Sequence, residues 1–215
     1  MKTQTLKMPI TVLLIDDHPV VRDGYRRILE NAPDIEVVAE ADDGETGCAK
    51  YRQCTPDVVI LDLNMPGIGG LETLRRIKAY NPQAHILIFS MHGNETMLAR
   101  ALEAGATGYL TKQCGLAKMV EAVRQVARGE FVVDADVAKG APPTSPQDPL
   151  SKLSTREFQI FKMLAEGNSI AEIAGKISIS PKTVGGHHTN IMRKLELNNN
   201  AQLTRLAIRC NVLEP

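Results

Sequence analysis

The feature that most constrains this chain is a repeating alternation in its first 130 residues. Short, nearly continuous apolar runs occur at Ile10–Ile15, Val37–Ala39, Val58–Leu61, Ile86–Phe89 and Gly108–Leu110. Between them lie longer segments, Val20–Asn31, Gly44–Gln53, Gly70–Tyr80, Glu95–Ala104 and Leu116–Arg128, whose apolar residues recur every three or four positions. A run that is apolar throughout has no face for solvent, so it reads as a strand buried on both sides, the condition inside a parallel sheet. The helical-period segments then serve as crossover helices covering the two faces. Five such repeats predict a doubly wound α/β sandwich, in which ligands sit at the carboxyl ends of the strands.

The alternation stops at DADVAKGAPPTSPQDPL, residues 134–150, which holds Pro142, Pro143, Pro146 and Pro149. Proline removes backbone donors and disfavours helix at the preceding residue, so this stretch predicts an extended linker between two domains, 1–133 and 151–215. The second domain shows no strand pattern. It reads as four short helices with legible ends. Ser154 with Glu157, and Ser169 with Glu172, form capping boxes opening helices over Thr155–Ala165 and up to about Lys176. Ser180 followed by Pro181 opens a third, run to Leu195, and a fourth spans roughly Ala201–Cys210. The middle pair, joined by the ISIS turn, has helix-turn-helix proportions. Charge divides at the same place. Lys and Arg number 15 against 17 Asp and Glu over residues 1–130, but 9 against 5 over 151–215, so the tail suits a polyanion.

Several classes are disfavoured. No apolar run approaches the ~20 residues a membrane span needs. The N-terminus lacks the pattern of a secretory signal. Cys48, Cys54, Cys114 and Cys210 have neither metal-ligand spacing nor disulfide density, so they predict free thiols in a cytoplasmic protein.

The strand ends carry the chemistry. The first strand ends in Asp16-Asp17 and the third in Asp62, and a parallel sheet brings these ends together. Three carboxylates in one place repel unless neutralised, and a divalent cation with oxygen ligands such as Mg²⁺ does so. Ser90 ends the fourth strand and Lys112 follows the fifth, a hydroxyl and an ammonium suited to the oxygens of a tetrahedral dianion. Together they form a phosphoryl-accepting site on Asp62. A dinucleotide-binding fold would need G-x-G-x-x-G after the first strand, where DDHPVVR stands. An aspartyl phosphatase would usually place its general acid two residues after the nucleophile, where this chain has Asn64. Slow release of the phosphoryl group points to a switch, not an enzyme.

The motifs IDDHPVVR, DVVILDLNMPGIGGLE, ILIFSMH and GATGYLTK resemble the receiver domain of two-component response regulators over residues 9–130. LSTREFQIFKMLAEGNSIAEIAGKISISPKTVGGHHTNIMRKL resembles the LuxR-type helix-turn-helix. The whole chain thus looks like a NarL/FixJ-family transcriptional regulator: a flavodoxin-like (βα)5 receiver followed by an all-α, four-helix DNA-binding domain. The resemblance implies that Asp62 is phosphorylated by a sensor histidine kinase. It assigns metal binding to Asp16, Asp17, Asp62 and the backbone carbonyl of Asn64, and phosphoryl contact and switching to Ser90, Lys112 and Tyr109. The rate of dephosphorylation would be tuned by Asn64 and His92. It also implies homodimers on promoter DNA when active, with RNA polymerase a further candidate partner and no membrane involved. In the inactive state the receiver is expected to mask the recognition helix.

That helix, Pro181–Leu195, would offer Lys182, Thr183, Arg193 and Lys194 to phosphates. One departure concerns base readout. Related helices usually present a lysine and an apolar residue where this chain has Gly185-Gly186, leaving His187, His188 and Thr189 for base edges or leaving recognition to DNA shape. Ile160, Met163, Leu164, Ile170, Ile173, Ile177, Val184, Ile191 and Leu195 read as core. Leu203, Leu206 and Ala207 suit either core or a dimer surface. Two rival readings remain: a phosphorelay module with a vestigial tail, tested by a promoter mobility shift, and a small Mg²⁺-dependent hydrolase, tested by steady-state phosphate release.

Overall fold

The computed structural model describes residues 8–91, 95–134, 149–177, 179–210 and 212–213. Strands β1 (Ile10–Ile15), β2 (Ile35–Ala41), β3 (Val58–Leu61), β4 (Ile86–Ser90) and β5 (Gly108–Thr111) alternate with five helices. These are α1 (Pro19–Glu30), α2 (Gly44–Cys54), α3 (Gly69–Tyr80), α4 (Glu95–Glu103) and α5 (Leu116–Ala127). All strands pair in parallel in the order β2-β1-β3-β4-β5-β6. The sixth strand, β6 (Val132–Val133), is an addition to the expected five. Two residues offer no periodicity to read. The strand forms because Val132 and Asp134 N–H groups donate to the Thr107 and Tyr109 carbonyls at 3.3 and 2.9 Å. Strand β2 is longer than its apolar run because it lies at the sheet edge, where exposed Glu36 and Val38 alternate with buried Ile35 and Val37.

The continuous apolar character of the central strands has the expected cause. Val12, Leu14, Val58, Ile60, Leu87, Phe89 and Leu110 face Leu29 of α1 and Met119, Val123 and Val126 of α5. Their neighbours Leu13, Ile15, Val59, Leu61, Ile86, Ile88 and Tyr109 face α2, α3 and α4 on the other side. Both faces exclude water, so no strand position between them tolerates a charge except at the ends.

A short 3₁₀ turn, Pro149–Lys152, precedes four more helices: α6 (Thr155–Ala165), α7 (Ile170–Lys176), α8 (Pro181–Lys194) and α9 (Asn200–Arg209). Ser154 with Glu157 and Ser169 with Glu172 form both capping boxes, and Ser180 accepts from the Thr183 N–H at the start of α8. Leu195 is the residue that closes α8, and Asn199, not foreseen, caps α9. Ile160, Leu164, Ile173, Ile177, Val184, Ile191 and Leu195 are buried as expected, and Met163 is half-buried. Ile170 is an exception: at the first position of α7 it faces solvent. Leu203, Leu206 and Ala207 are spent inside the domain, so the two-role expectation for them resolves to core. Of the expected linker, residues 135–148 lie outside the described residues. At its ends, Asp134 is buried and bonded to Thr111 and Lys118, and Leu150 is fully buried in the 3₁₀ turn.

The two domains meet through one continuous apolar cluster. Arg100 of α4 lays its guanidinium 4.1 Å from the Phe158 ring and donates to the carbonyls of Leu150 and Leu153. Gln159 Nε2 donates to the Gly67 carbonyl at 2.8 Å. The covered surface is α6. Helix α8, expected to read DNA, keeps Lys182, Thr183, Gly186, Thr189 and Arg193 exposed, so the receiver does not mask it.

Candidate functional site

The ends of β1 and β3 place Asp16, Asp17 and Asp62 side by side. Parallel pairing of Ile15 with Leu61 fixes their register, and the Asp62 N–H donates to the Ile15 carbonyl at 2.9 Å. One oxygen from each of these carboxylates, together with a His18 ring nitrogen, lies within 4.8 Å of the others. Asp62 is sealed from solvent, its side chain 1% exposed. Its Oδ1 accepts the Asn64 N–H at 3.2 Å, which folds the β3–α3 loop back over the carboxylate. The loop can turn this tightly because Gly70 has no side chain: a Cβ there would lie 2.1 Å from the Asp62 carbonyl oxygen. Substitution at Gly70 would therefore displace the Asp62 backbone itself.

Lys112 closes the site from β5. Its ammonium donates to Asp16 Oδ2 at 2.6 Å and Asp62 Oδ2 at 2.8 Å, with the side chain almost wholly buried. Burial pulls this ammonium down, but the charges and hydrogen bonds of Asp62 and Asp16 outweigh it and hold it above the ordinary lysine value. Burial pushes Asp17 up, His18 and the backbone oppose this, and the Asp62 and Asp16 charges add to it. Asp17 Oδ1 is buried and accepts no well-aligned hydrogen bond, although His18 Nδ1 approaches to 3.0 Å. Three carboxylates, one of them with an unsatisfied buried oxygen, fit a hard divalent cation. The acidic cluster is thus consistent with Mg²⁺, and one lysine leaves charge for it to neutralise.

Ser90 and Tyr109 lie beyond Asp62 on β4 and β5. Both are buried, and the two hydroxyls share a hydrogen bond. Burial raises the Tyr109 phenol far above its ordinary value, with the Ser90 bond working the other way. The ring already occupies the inward position. The Lys112 N–H donates to the Ser90 carbonyl at 2.8 Å, so the two phosphate-suited groups share one backbone ladder. His92 lies outside the described residues. The structure brings together Asp16, Asp17, Asp62, Asn64, Ser90, Tyr109 and Lys112.

Two further groups touch this site that its motifs did not single out. Arg22, one turn into α1, donates to the Asp16 carbonyl at 2.6 Å and pairs with Glu40. Lys162, from α6 of the other domain, donates from Nζ to Asn64 Oδ1. Arg22 belonged to the quoted DDHPVVR motif and could have been suspected from it. Lys162 follows from no local pattern, because only the packing of the domains brings it there.

On α8 the candidate DNA-facing residues separate into two groups. Lys182, Thr183, Gly186, Thr189 and Arg193 are exposed, and Gly185, His187 and His188 are half-exposed. Cβ atoms added at Gly185 or Gly186 would meet nothing within 4 Å, so the pair is a bare patch and not a packing requirement. His188 Nε2 lies 3.0 Å from Asn200 Oδ1. Lys194 turns inward: its Nζ donates to Glu157 Oε2 at 2.6 Å, bracing the α6 capping box.

The comparisons follow this division. The response regulator receiver domain family matches residues 12–124, and the luxR family of bacterial regulatory proteins matches residues 151–207. The response regulator UvrY of Escherichia coli (strain K12) is 39% identical over 210 residues, covering 94% of this chain and 96% of its own. The response regulator GacA of Pseudomonas aeruginosa is 36% identical, covering 95% and 98%. Among solved structures, the complex of the two-component response regulator RcsB with DNA aligns over 92% of this chain and 97% of that one, at 28% identity and a TM-score of 0.59.

Proposed function

The chain belongs to the NarL/FixJ family of two-component response regulators, transcriptional regulators built from a receiver and a LuxR-type DNA-binding domain, and we propose that Asp62 is its phosphoacceptor. The observation that carries this is the convergence of Asp16, Asp17 and Asp62 on one point, with the Lys112 ammonium 2.8 Å from Asp62. An Asp62 oxygen attacks the phosphorus of a sensor kinase's phosphohistidine. The P–N bond breaks as the O–P bond forms, and the departing imidazole keeps the electron pair. Lys112 and the Ser90 hydroxyl then bind the transferred oxygens. Asp16, Asp17, Asp62 and the Asn64 carbonyl would hold Mg²⁺, which when bound supplies positive charge for the phosphoryl oxygens.

The division at 1–133, 134–150 and 151–215 is part of this reading, supported by the two family spans. So are a cytoplasmic location and pairing of two tails on promoter DNA, for which the DNA complex of RcsB is the parallel. The exposed α8 side chains would contact the duplex. Because α6 is the covered helix, phosphorylation acts by freeing the tail to pair, not by uncovering α8. Incubation with phosphoramidate and Mg²⁺ should add one acid-labile phosphoryl group at Asp62, and beryllofluoride should raise promoter affinity in a mobility shift. Label at another residue would refute the assignment. Unchanged promoter affinity would refute the coupling.

A further inference from the structure

The acceptor site holds three carboxylates and one ammonium of its own, and a second ammonium reaches it from the other domain. Lys162 is largely buried, with 21% of its side chain exposed, and its Nζ rests on the side chain of Asn64 while the Asn64 N–H rests on Asp62. Burial holds this ammonium below the ordinary lysine value, and Glu166, at 4.0 Å, and Asp62 work the other way without offsetting it. Asp17, Asn64, Gly67, Phe158, Lys162 and Glu166 line one cleft of about 370 Å³ between the domains. A cation taken out of water at a domain boundary must be compensated there. On the receiver side that compensation comes from Asp62, which Lys162 approaches through Asn64.

We propose that Lys162 is a tethered counter-ion of the acceptor site, competing with a divalent cation for the charge of Asp16, Asp17 and Asp62, so that metal binding and the docking of α6 oppose each other. The inference rests on the assignment of the acidic cluster as a metal site. A metal ion at the three carboxylates removes the potential that holds Lys162, and the helix leaves with it. Linkage makes the effect reciprocal: a docked Lys162 weakens metal binding by the factor by which metal weakens docking. Gln159 on Gly67 and Arg100 on Phe158 also hold the interface, through an amide hydrogen bond and a ring contact.

The test is Mg²⁺ titration of the full, unphosphorylated chain by calorimetry at constant ionic strength. Lys162→Met should bind Mg²⁺ about fivefold more tightly than the unaltered chain, and Lys162→Arg should stay close to it. Equal affinity in Lys162→Met and the unaltered chain overturns the proposal. A second measurement needs no variant: small-angle scattering of the unaltered chain should show domain separation as Mg²⁺ saturates, and none with NaCl of equal ionic strength. An unchanged radius at saturating Mg²⁺ overturns it too. If neither protein binds Mg²⁺ while both fold, the metal-site assignment itself fails. Phosphoramidate labelling of Asp62 reports the acceptor role separately.

Discussion

The proposed acceptor site and the proposed DNA-reading helix α8 teach opposite lessons about where function is stored. At the acceptor site, backbone topology does the assembling: five residues from four strand ends converge because parallel strands must end together. Asp16, Asp62, Ser90 and Lys112 have buried side chains there, and half-buried Asp17 completes the acidic cluster. On α8 the backbone provides only a scaffold, an exposed face whose meaning depends on which side chains project from it. At Gly185 and Gly186 nothing projects at all. The first region is specified by the fold and the second is written on top of it, so substitutions should act through chemistry in one and through affinity in the other.

The sharpest way to test that contrast is Asp62→Asn. Labelling by phosphoramidate should fall by more than about a thousandfold, because an amide cannot act as the nucleophile. Thermal unfolding should change little, since Lys112 keeps its bond to Asp16. Binding of unphosphorylated protein to promoter DNA should be unaltered while the response to beryllofluoride disappears. If a neighbouring acid takes over as acceptor at a comparable rate, the site is less strictly determined by topology than the contrast requires.

Lys194 lies on the recognition helix yet belongs to the first kind of residue. Its ammonium pairs with Glu157, whose side chain is only 6% exposed and also accepts the Ser154 N–H. Burial pushes the Glu157 carboxyl up, but Lys194 and the Ser154 N–H and hydroxyl outweigh this and hold it below the ordinary carboxylate range. The sign follows: the pair's stability is present above the unfolded value of 4.5 and is lost as pH falls through the lower folded value. Lys194→Met should cost about 2 kcal/mol of tail stability at pH 7 and much less in acid, measured by urea unfolding. Unaltered unfolding with a tenfold loss of DNA affinity would return Lys194 to the DNA-facing set.

Lys182, exposed in the first turn of α8, is the counter-case on the same helix. Lys182→Ala should leave unfolding unchanged and weaken binding to any duplex. The slope of log affinity against log salt should shrink by about 0.9, the value for one phosphate contact. A loss confined to the cognate sequence would instead make it a base-reading residue.

Legibility in the sequence follows the same divide. The five main strands and the acidic cluster could be read because continuous burial leaves an apolar run and each run ends in a chemically distinctive residue. The capping boxes at Ser154 and Ser169 could be read because they join residues three apart. What escaped reading was long-range or too short to have a period. Strand β6 is two residues long, Lys162 meets Asn64 across 98 positions, and Lys194 meets Glu157 across 37. Masking of α8 by the receiver was expected from resemblance and is not what the packing shows. The face chosen for contact depends on Arg100, which lies in no motif, and on Gln159 and Lys162, whose place in the helix-turn-helix stretch says nothing of a receiver contact.

The glycine pair offers the smallest effect and the most direct view of the written surface. Interior glycine costs a helix about 1 kcal/mol relative to alanine, and nothing lies within 4 Å of a Cβ at either position. Gly185→Ala with Gly186→Ala should therefore stabilise the tail by roughly 1–2 kcal/mol, seen as a rise in its unfolding midpoint. Since alanine brings neither charge nor a hydrogen-bonding group, non-specific DNA affinity should hold steady. Gly185→Lys with Gly186→Val should gain similar stability but also change sequence preference, because it adds side chains where the proposed reading places base edges. If the alanine pair alone alters sequence preference, the bare backbone or the flexibility of α8 is itself part of readout, and this surface too is partly specified by the fold.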